Sequence, residues 1–243
     1  MHNDSLVVIP AFNEGGIIGK VLEPLLAANL GIDVAVINDG STDSTLDVVR
    51  TFPQVLIASH PCNLGYGAAL QTGYQLATSL NYEYVAQFDA DGQHSVDDLR
   101  RVLDAIWTVD ADVVIGSRFL SGQRIPLGFG KVLAIRLFRR FIYMFTRNHI
   151  TDPTSGLKAF RNVVFSHYSK SKEYPFDYPD ADVLIDILLH GWRIIEVPVG
   201  SYDRETGISM HSGLRPLIYM AKVAMSIFVV LLNELLRKRG LQR

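Results

Sequence analysis

Asp89 and Asp91 stand two residues apart in DADGQH (89–94), at the end of the apolar run Tyr84-Val-Ala-Gln-Phe88. In extended backbone, alternate side chains point the same way. Both carboxylates can therefore face one cation and the diphosphate it carries. Mg2+ and Mn2+ take oxygen ligands and share them between one or two carboxylates and substrate phosphates. An Asp-x-Asp on its own is also what a solvated turn looks like. This one draws weight from other polar clusters at comparable places along the chain.

The elements that would position it alternate. Apolar runs at 6–10, 34–38, 55–59, 84–88 and 113–116 read as strands. Helical spacing at 17–28, 42–50, 66–80 and 96–107 reads as the helices between them, the second opened by a cap region at Ser41 and Asp43. Such alternation implies an α/β fold with a mostly parallel central sheet covered by helices on both faces. Ligands bind such sheets at the C-terminal ends of the strands, where Asn38-Asp39-Gly40-Ser41 and Asp89-Ala90-Asp91 both fall. The second half is less regular. Helices are expected at 131–147 and 182–190, a polar turn running into a strand-like piece at 152–161, and a strand at 192–198. A polar loop is expected at 201–212 and a long amphipathic helix at 214–239. The division expected is a catalytic domain over 1–212 and an amphipathic helical segment over 213–243.

Composition sets bounds. The 243 residues are 48% hydrophobic and 20% charged, enough for one sizeable core. A net charge of −2 gives no argument for nucleic acid. Cys62 is the single cysteine, so no intrachain disulfide can form, which fits a reducing compartment. MHNDSLVVIP reads as a first strand rather than a signal peptide, and no apolar run reaches the length of a membrane span.

Four motifs line up at strand ends and helix starts: VVIPAFNE (7–14), VINDGSTDST (36–45), NLGYGAALQTG (63–73) and DADGQH (89–94). In their order and spacing the chain resembles the family 2 inverting glycosyltransferases, which have the GT-A type nucleotide-sugar-binding fold. More narrowly it resembles the polyprenyl-phosphate sugar synthases, the group that includes dolichyl-phosphate mannose synthase. The resemblance runs from residue 6 to about 212.

The resemblance implies roles for particular residues. Pro10, Ala11 and Glu14 would line the nucleoside pocket. Asp39 would accept a hydrogen bond from an N–H of uracil or guanine, since an ionised carboxylate only accepts. A helix-cap or turn role is the alternative for Asp39. Asn38 replaces the first acid of the commoner DDGS. Gly65 and Gly67 would let the diphosphate approach a helix N-terminus, or simply make a tight turn. Asp89, Asp91 and Gln93 would hold Mg2+ or Mn2+, with Ala90 beside the donor, while His94 would be structural.

Arg118, in Gly116-Ser117-Arg118, would reach towards a phosphate or form an ion pair. In TDPTSGLKAFR (151–161), Asp152, Thr154 and Ser155 would shape the acceptor side, with a turn as the alternative for Ser155-Gly156. Asp180 and Asp182 fall where inverting enzymes carry their acid. One of them would act as general base towards a hydroxyl acceptor, or position a phosphate acceptor, or both would cap the helix. In SYDRETGISMHS (201–212), Arg204 and Ser209 would clamp the diphosphate. Met210 stands where relatives usually carry lysine.

Two helices raise the question of a membrane surface. Residues 131–147 hold five basic residues and no acid (Lys131, Arg136, Arg139, Arg140 and Arg147), with Leu133, Leu137, Phe138, Phe141 and Phe145 on one helical face. That pattern suits an interfacial helix or a core helix with a solvated basic face. The helix at 214–239 is broadly apolar around a narrow polar stripe. It could lie in a membrane, pack on the domain, or form a homo-oligomer interface. An anchor would be a separate membrane protein or the interface itself.

The expected activity is metal-dependent transfer of a sugar from UDP- or GDP-sugar to polyprenyl phosphate, by an enzyme peripheral to the cytoplasmic face of the membrane. Transfer to a hydroxyl of a glycan or lipid-linked sugar is the alternative within the family. A nucleotidyltransferase is disfavoured by the lack of an N-terminal glycine-rich basic loop. A non-catalytic sugar-nucleotide-binding subunit has Met210 as its only support.

Overall fold

A computed structural model describes residues 3–122, 129–177, 179–200 and 215–238. Seven strands form one sheet: β1 (Ser5–Ala11), β2 (Asp33–Asn38), β3 (Leu56–Ser59), β4 (Tyr84–Gln87), β5 (Val113–Ser117), β6 (Lys158–Arg161) and β7 (Ile194–Pro198). Their order is β3-β2-β1-β4-β6-β5-β7. All neighbours run parallel except β6, which is antiparallel to both β4 and β5. The eight helices among the described residues are α1 (Ile18–Ala27), α2 (Thr45–Arg50), α3 (Tyr66–Ser79), α4 (Val96–Thr108), α5 (Phe129–Thr146), α6 (Asn162–Lys170), α7 (Ala181–Leu189) and α8 (Arg215–Lys238).

The apolar run of β1 is buried at every position. A strand covered on both faces needs apolar side chains on both. Its alternation splits the core in two. Leu6 and Val8 belong to a core shared with α3, α5, α6, α7 and α8, whereas Val7 and Ile9 belong to one shared with α1 and α4. α4 opens on a reciprocal capping box between Ser95 and Asp98. The chain reverses its direction of travel across the sheet between β1 and β4, on either side of which it places β2 and β6. Open α/β sheets bind ligands at such a point, outside the carboxyl ends of the strands. The ends of β1, β2 and β4 meet there.

Three readings need revision. The segment after β6 forms a helix, α6, that no motif flagged. α2 begins at Thr45 rather than at residue 42, because the residues before it serve a neighbouring loop. Asn13 Oδ1 accepts from the Thr42 N–H at 2.8 Å, and Asp43 Oδ2 accepts from the Gly15 N–H at 3.0 Å. The apolar face of α5 is only in part the one its spacing suggested, with Phe138, Phe141 and Phe145 turned to the core as expected. Ala134, Ile135, Phe138 and Ile142 are buried, Leu133 is exposed, and the Arg139 guanidinium lies 4.4 Å over the Phe119 ring while donating to the Thr151 carbonyl. α5 is thus anchored in the core. α8 packs on α7 and α5, burying Val223 and Ile227 and exposing Met225, Phe228, Leu232 and Leu235. Among the described residues, no helix is long and apolar enough to cross a membrane.

Candidate active site

The floor of the cleft is built on Asp39, at the end of β2. It is only 3% exposed. Its Oδ1 accepts from the Leu64 N–H and its Oδ2 from the Gly65 N–H, both at 2.9 Å, and His60 Nδ1 lies 2.7 Å from Oδ1. Asp39 therefore fixes the loop before α3. One lone pair on Oδ2 is the acceptor capacity left for the N–H of a base. Pro10 and Ala11 are buried beside it, with the Ala11 carbonyl accepting from the Asp39 N–H at 2.9 Å. The Glu14 N–H donates to Thr45 Oγ1 at 2.8 Å, which holds the β1–α1 loop against α2.

Gly65 and Gly67 do leave room for a close approach, but the chain itself fills it. A Cβ on Gly67 would sit 1.9 Å from the Pro175 carbonyl oxygen, and one on Gly65 would sit 2.6 Å from that of Phe176. The Phe176 carbonyl accepts from the Gly67 and Ala68 N–H groups at 2.7 and 3.2 Å. The N-terminus of α3, expected to face a diphosphate, has these first donors satisfied internally. The glycines dock the segment before α7, and that docking delivers Asp180 to the cleft.

Asp89 leaves the end of β4 and lies over Gly156. A Cβ on Gly156 would come within 1.8 Å of Asp89 Oδ2. Asp89 Oδ1 accepts from the Tyr66 hydroxyl at 2.8 Å. Burial, then the negative charge of Asp89, pushes the Tyr66 pKa well up, so the phenol stays protonated and donating. Asp91 Oδ1 accepts from the Gln93 N–H at 3.0 Å, closing a turn around Gly92, whose φ is +74°. Ala90 is buried between the two acids. The Asp89 and Asp91 carboxylates and the Gln93 amide oxygen are hard-oxygen donors of the kind that Mg2+ or Mn2+ takes. Among the described residues, no third His, Cys or carboxylate ligand joins them. Diphosphate and water oxygens would complete such a site, as is usual for these ions.

Arg118 follows β5 and is 6% exposed. Its Nε and Nη2 grip Asp152 Oδ2 and Oδ1 at 2.7 and 2.8 Å, and Nη2 also donates to the Thr154 hydroxyl at 3.0 Å. Asp152 is fully buried, and its N–H donates to Glu196 at 2.9 Å. Ser155 gives its hydroxyl to the Gly116 carbonyl at 2.6 Å. Asp152, Thr154 and Ser155, expected on the acceptor side, thus spend these groups holding Arg118 and its turn. Burial alone would lower the Arg118 pKa. The hydrogen bonds and charge of Asp152, with the charges of Asp89 and Asp180, raise it instead. The guanidinium is therefore a fixed positive charge among the cleft acids. His94 packs nearby, and burial followed by the Arg118 charge lowers its pKa to about 4, so it is neutral at pH 7.

The two acids of the α7 start part company. Asp180 precedes the helix, is half-buried, and makes no side-chain cap bond. Its charge acts on both Tyr66 and Arg118. Asp182 is fully buried on the other side of the turn. Its Oδ1 accepts from the Asp180 N–H at 3.0 Å and its Oδ2 from the Ser226 hydroxyl of α8. Burial pushes its pKa up to about 6. Asp182 shapes the turn that presents Asp180. Arg204 and Ser209, with Met210, lie outside the described residues.

Two further residues touch Asp89 directly. Tyr66 sits between the two glycines of α3, where a hydroxyl in a Gly-x-Gly run was the available signal. Gly156 was read as a turn, although its lack of a side chain is what admits Asp89.

Comparison with known proteins identifies the family and the fold. Residues 6–169 match the model for glycosyl transferase family 2. An undecaprenyl-phosphate mannosyltransferase of Micrococcus luteus is 31% identical over 220 residues, covering 86% of this chain and 87% of that protein. A polyprenol monophosphomannose synthase of Mycolicibacterium smegmatis is 27% identical, covering 90% and 85%. Among solved structures, glucosyl-3-phosphoglycerate synthase of Mycobacterium tuberculosis superposes with a TM-score of 0.66 at 18% identity, over 95% of this chain and 79% of that one. A Pyrobaculum calidifontis mannosyltransferase, solved with GDP-Man and Mn2+, superposes with a TM-score of 0.63 at 21% identity, over 93% and 65%. These two likenesses carry the GT-A fold.

Proposed function

Because the chain belongs to glycosyltransferase family 2, we propose that it transfers a sugar from a UDP- or GDP-sugar to polyprenyl phosphate. The acceptor phosphate oxygen forms a bond to the anomeric carbon as the bond to the nucleoside diphosphate breaks on the opposite face. The observation that carries the choice of acceptor is the burial of Asp182. Asp182, one of the two acids expected as base, is fully buried and accepts from the Ser226 hydroxyl. A phosphate acceptor is already ionised and needs no proton removed. The mannosyltransferases of Micrococcus luteus and Mycolicibacterium smegmatis, matched over most of their length, support the same acceptor class.

In this reading Asp39 receives the base, and Arg118 supplies positive charge where charge gathers during transfer. Asp180 orients the acceptor side. Asp89, Asp91 and Gln93 would hold Mg2+ or Mn2+, which when bound would offset the charge of the departing diphosphate. Arg204 and Ser209 would bind that diphosphate. The exposed apolar residues of α8, Met225, Phe228 and Leu235, together with exposed Leu133 and Met144 of α5, offer a surface for the lipid at the cytoplasmic face.

The half-buried Asp180 favours a second reading, in which a hydroxyl acceptor loses its proton to that carboxylate. The test is nucleoside-diphosphate release from a panel of UDP- and GDP-sugars with Mn2+ or Mg2+, with and without polyprenyl phosphate. Release from one donor that depends on the lipid phosphate is the expected result. Release that responds only to hydroxyl acceptors and disappears in Asp180→Asn would replace the first reading with the second.

A further inference from the structure

We propose that His167, Asp186 and His190 form a metal site for a transition ion such as Zn2+, separate from the acidic cleft. One ligand atom from each residue lies within 4.8 Å of the other two. Asp186 and His190 are four residues apart and share a face of α7. His167 comes from the last turn of α6. α7 has nine residues and spans about 14 Å, with Asp180 before its start and His190 at its end. The cleft and this cluster therefore occupy opposite ends of one helix.

The donors suit a borderline ion. Two imidazoles and one carboxylate are the ligand set of Zn2+ sites that keep an open position, whereas Mg2+ and Ca2+ take oxygen alone. Asp186 and His190 are held by hydrogen bonds, as metal ligands generally are, and His167 is held by ring contacts. The Tyr168 hydroxyl donates to Asp186 Oδ2 at 2.7 Å. His190 Nδ1 lies 2.9 Å from the Asp186 backbone carbonyl and 3.4 Å from Oδ1 of the same residue. The Trp192 ring stacks on His190 at 4.9 Å with 13° between planes, and meets His167 edge-on at 5.3 Å. Two helices end here, and the negative end of a helix dipole favours a cation. A cavity of about 240 Å³ adjoins the three ligands and is also lined by Glu173, Asp182 and Glu234. It has room for the water or anion that would fill a fourth position. An ion bound here would tie α6 to α7, the helix whose start carries Asp180.

The plainer account is that two histidines at helix ends stack on Trp192 and bind nothing. Co2+ distinguishes the two, because nitrogen-and-oxygen-ligated Co2+ absorbs in the visible. The whole chain is titrated with Co2+ alone, followed by competition with Zn2+. One equivalent should bind, give a visible band and be displaced by Zn2+. The band should persist in Asp89→Asn/Asp91→Asn, which removes the cleft ligands. It should weaken at least about tenfold in His167→Gln. His167 is exposed, so that variant keeps the fold, and its metal-free melting curve should match the parent's. Absence of the band in the parent, or a band of equal strength in His167→Gln, overturns the site. Neither readout involves sugar transfer, so failure here is distinct from failure of the proposed activity.

Discussion

Replacing Gly156 with alanine isolates the placement of Asp89. The new Cβ would lie 1.8 Å from Asp89 Oδ2 and 2.7 Å from its Cγ, where real contacts stop near 3.0 Å. The obstacle is the end of a side chain, so the carboxylate can retreat, by more than an ångström. That retreat breaks the 2.8 Å bond from the Tyr66 hydroxyl and moves Asp89 relative to Asp91. A displacement of about 1 Å in a reacting constellation costs roughly 10²-fold, or about 2.7 kcal/mol of barrier. Gly156 has no positive φ, so alanine is conformationally compatible and stiffens the unfolded chain by about 0.4–1 kcal/mol. Stability should therefore hold while turnover falls. The assay is nucleoside-diphosphate release at saturating donor and metal, with apparent Mn2+ affinity and a thermal melt on the same preparation. Parental turnover and Mn2+ affinity in Gly156→Ala would refute the assignment of Asp89. A collapsed melting temperature would show that the alanine had met backbone instead.

Gly67→Ala supplies the contrast, because its Cβ would meet a backbone carbonyl at 1.9 Å; stability should drop by about 1–3 kcal/mol, read as a lower denaturant midpoint. Removing the buried partner of Asp152 by Arg118→Ala should cost about 3–5 kcal/mol, and Arg118→Lys should not restore it, since an ammonium cannot make the two parallel bonds; chemical denaturation measures both. Asp182 has a folded pKa of about 6 against an ordinary value of 3.8, so the folded state holds the proton more tightly. Its contribution is fully favourable below about pH 4 and is lost as pH rises through 6. Asp182→Asn should therefore gain up to about 3 kcal/mol over the parent at pH 7, with the gap closing towards pH 4 in paired melts. The same variant should retain transfer, whereas Asp180→Asn should lose at least about tenfold in kcat/KM.

Local pattern was enough for the first half of the fold. Apolar runs that need burial on both faces, separated by helices of the right spacing, dictate a parallel sheet, and the acids fell at its strand ends because connections there face the ligand side. That logic weakened after β5. β6 is only four residues long and lies antiparallel between β4 and β5, a pairing that no local period encodes. α6 escaped notice for a similar reason, its helix resting on packing of Val164, Phe165 and Tyr168 against the core rather than on a cap.

The site divides the same way. Sequence by itself determined which residue types were present and that Asp89 and Asp91 follow the end of a strand, while the resemblance of its motifs nominated Arg118, Asp152 and Asp180. Strand ends are legible because apolar runs mark where each strand stops. Only the tertiary structure decided what each group is free to do. Gly65 and Gly67 make room for Pro175 and Phe176, Gly156 makes room for Asp89, Asp152 is consumed by Arg118, and Asp182 is sealed by Ser226 some forty residues on. Those outcomes depend on which surfaces, distant in sequence, come into contact. A carboxylate's exposure and pKa are properties of that contact rather than of the residue.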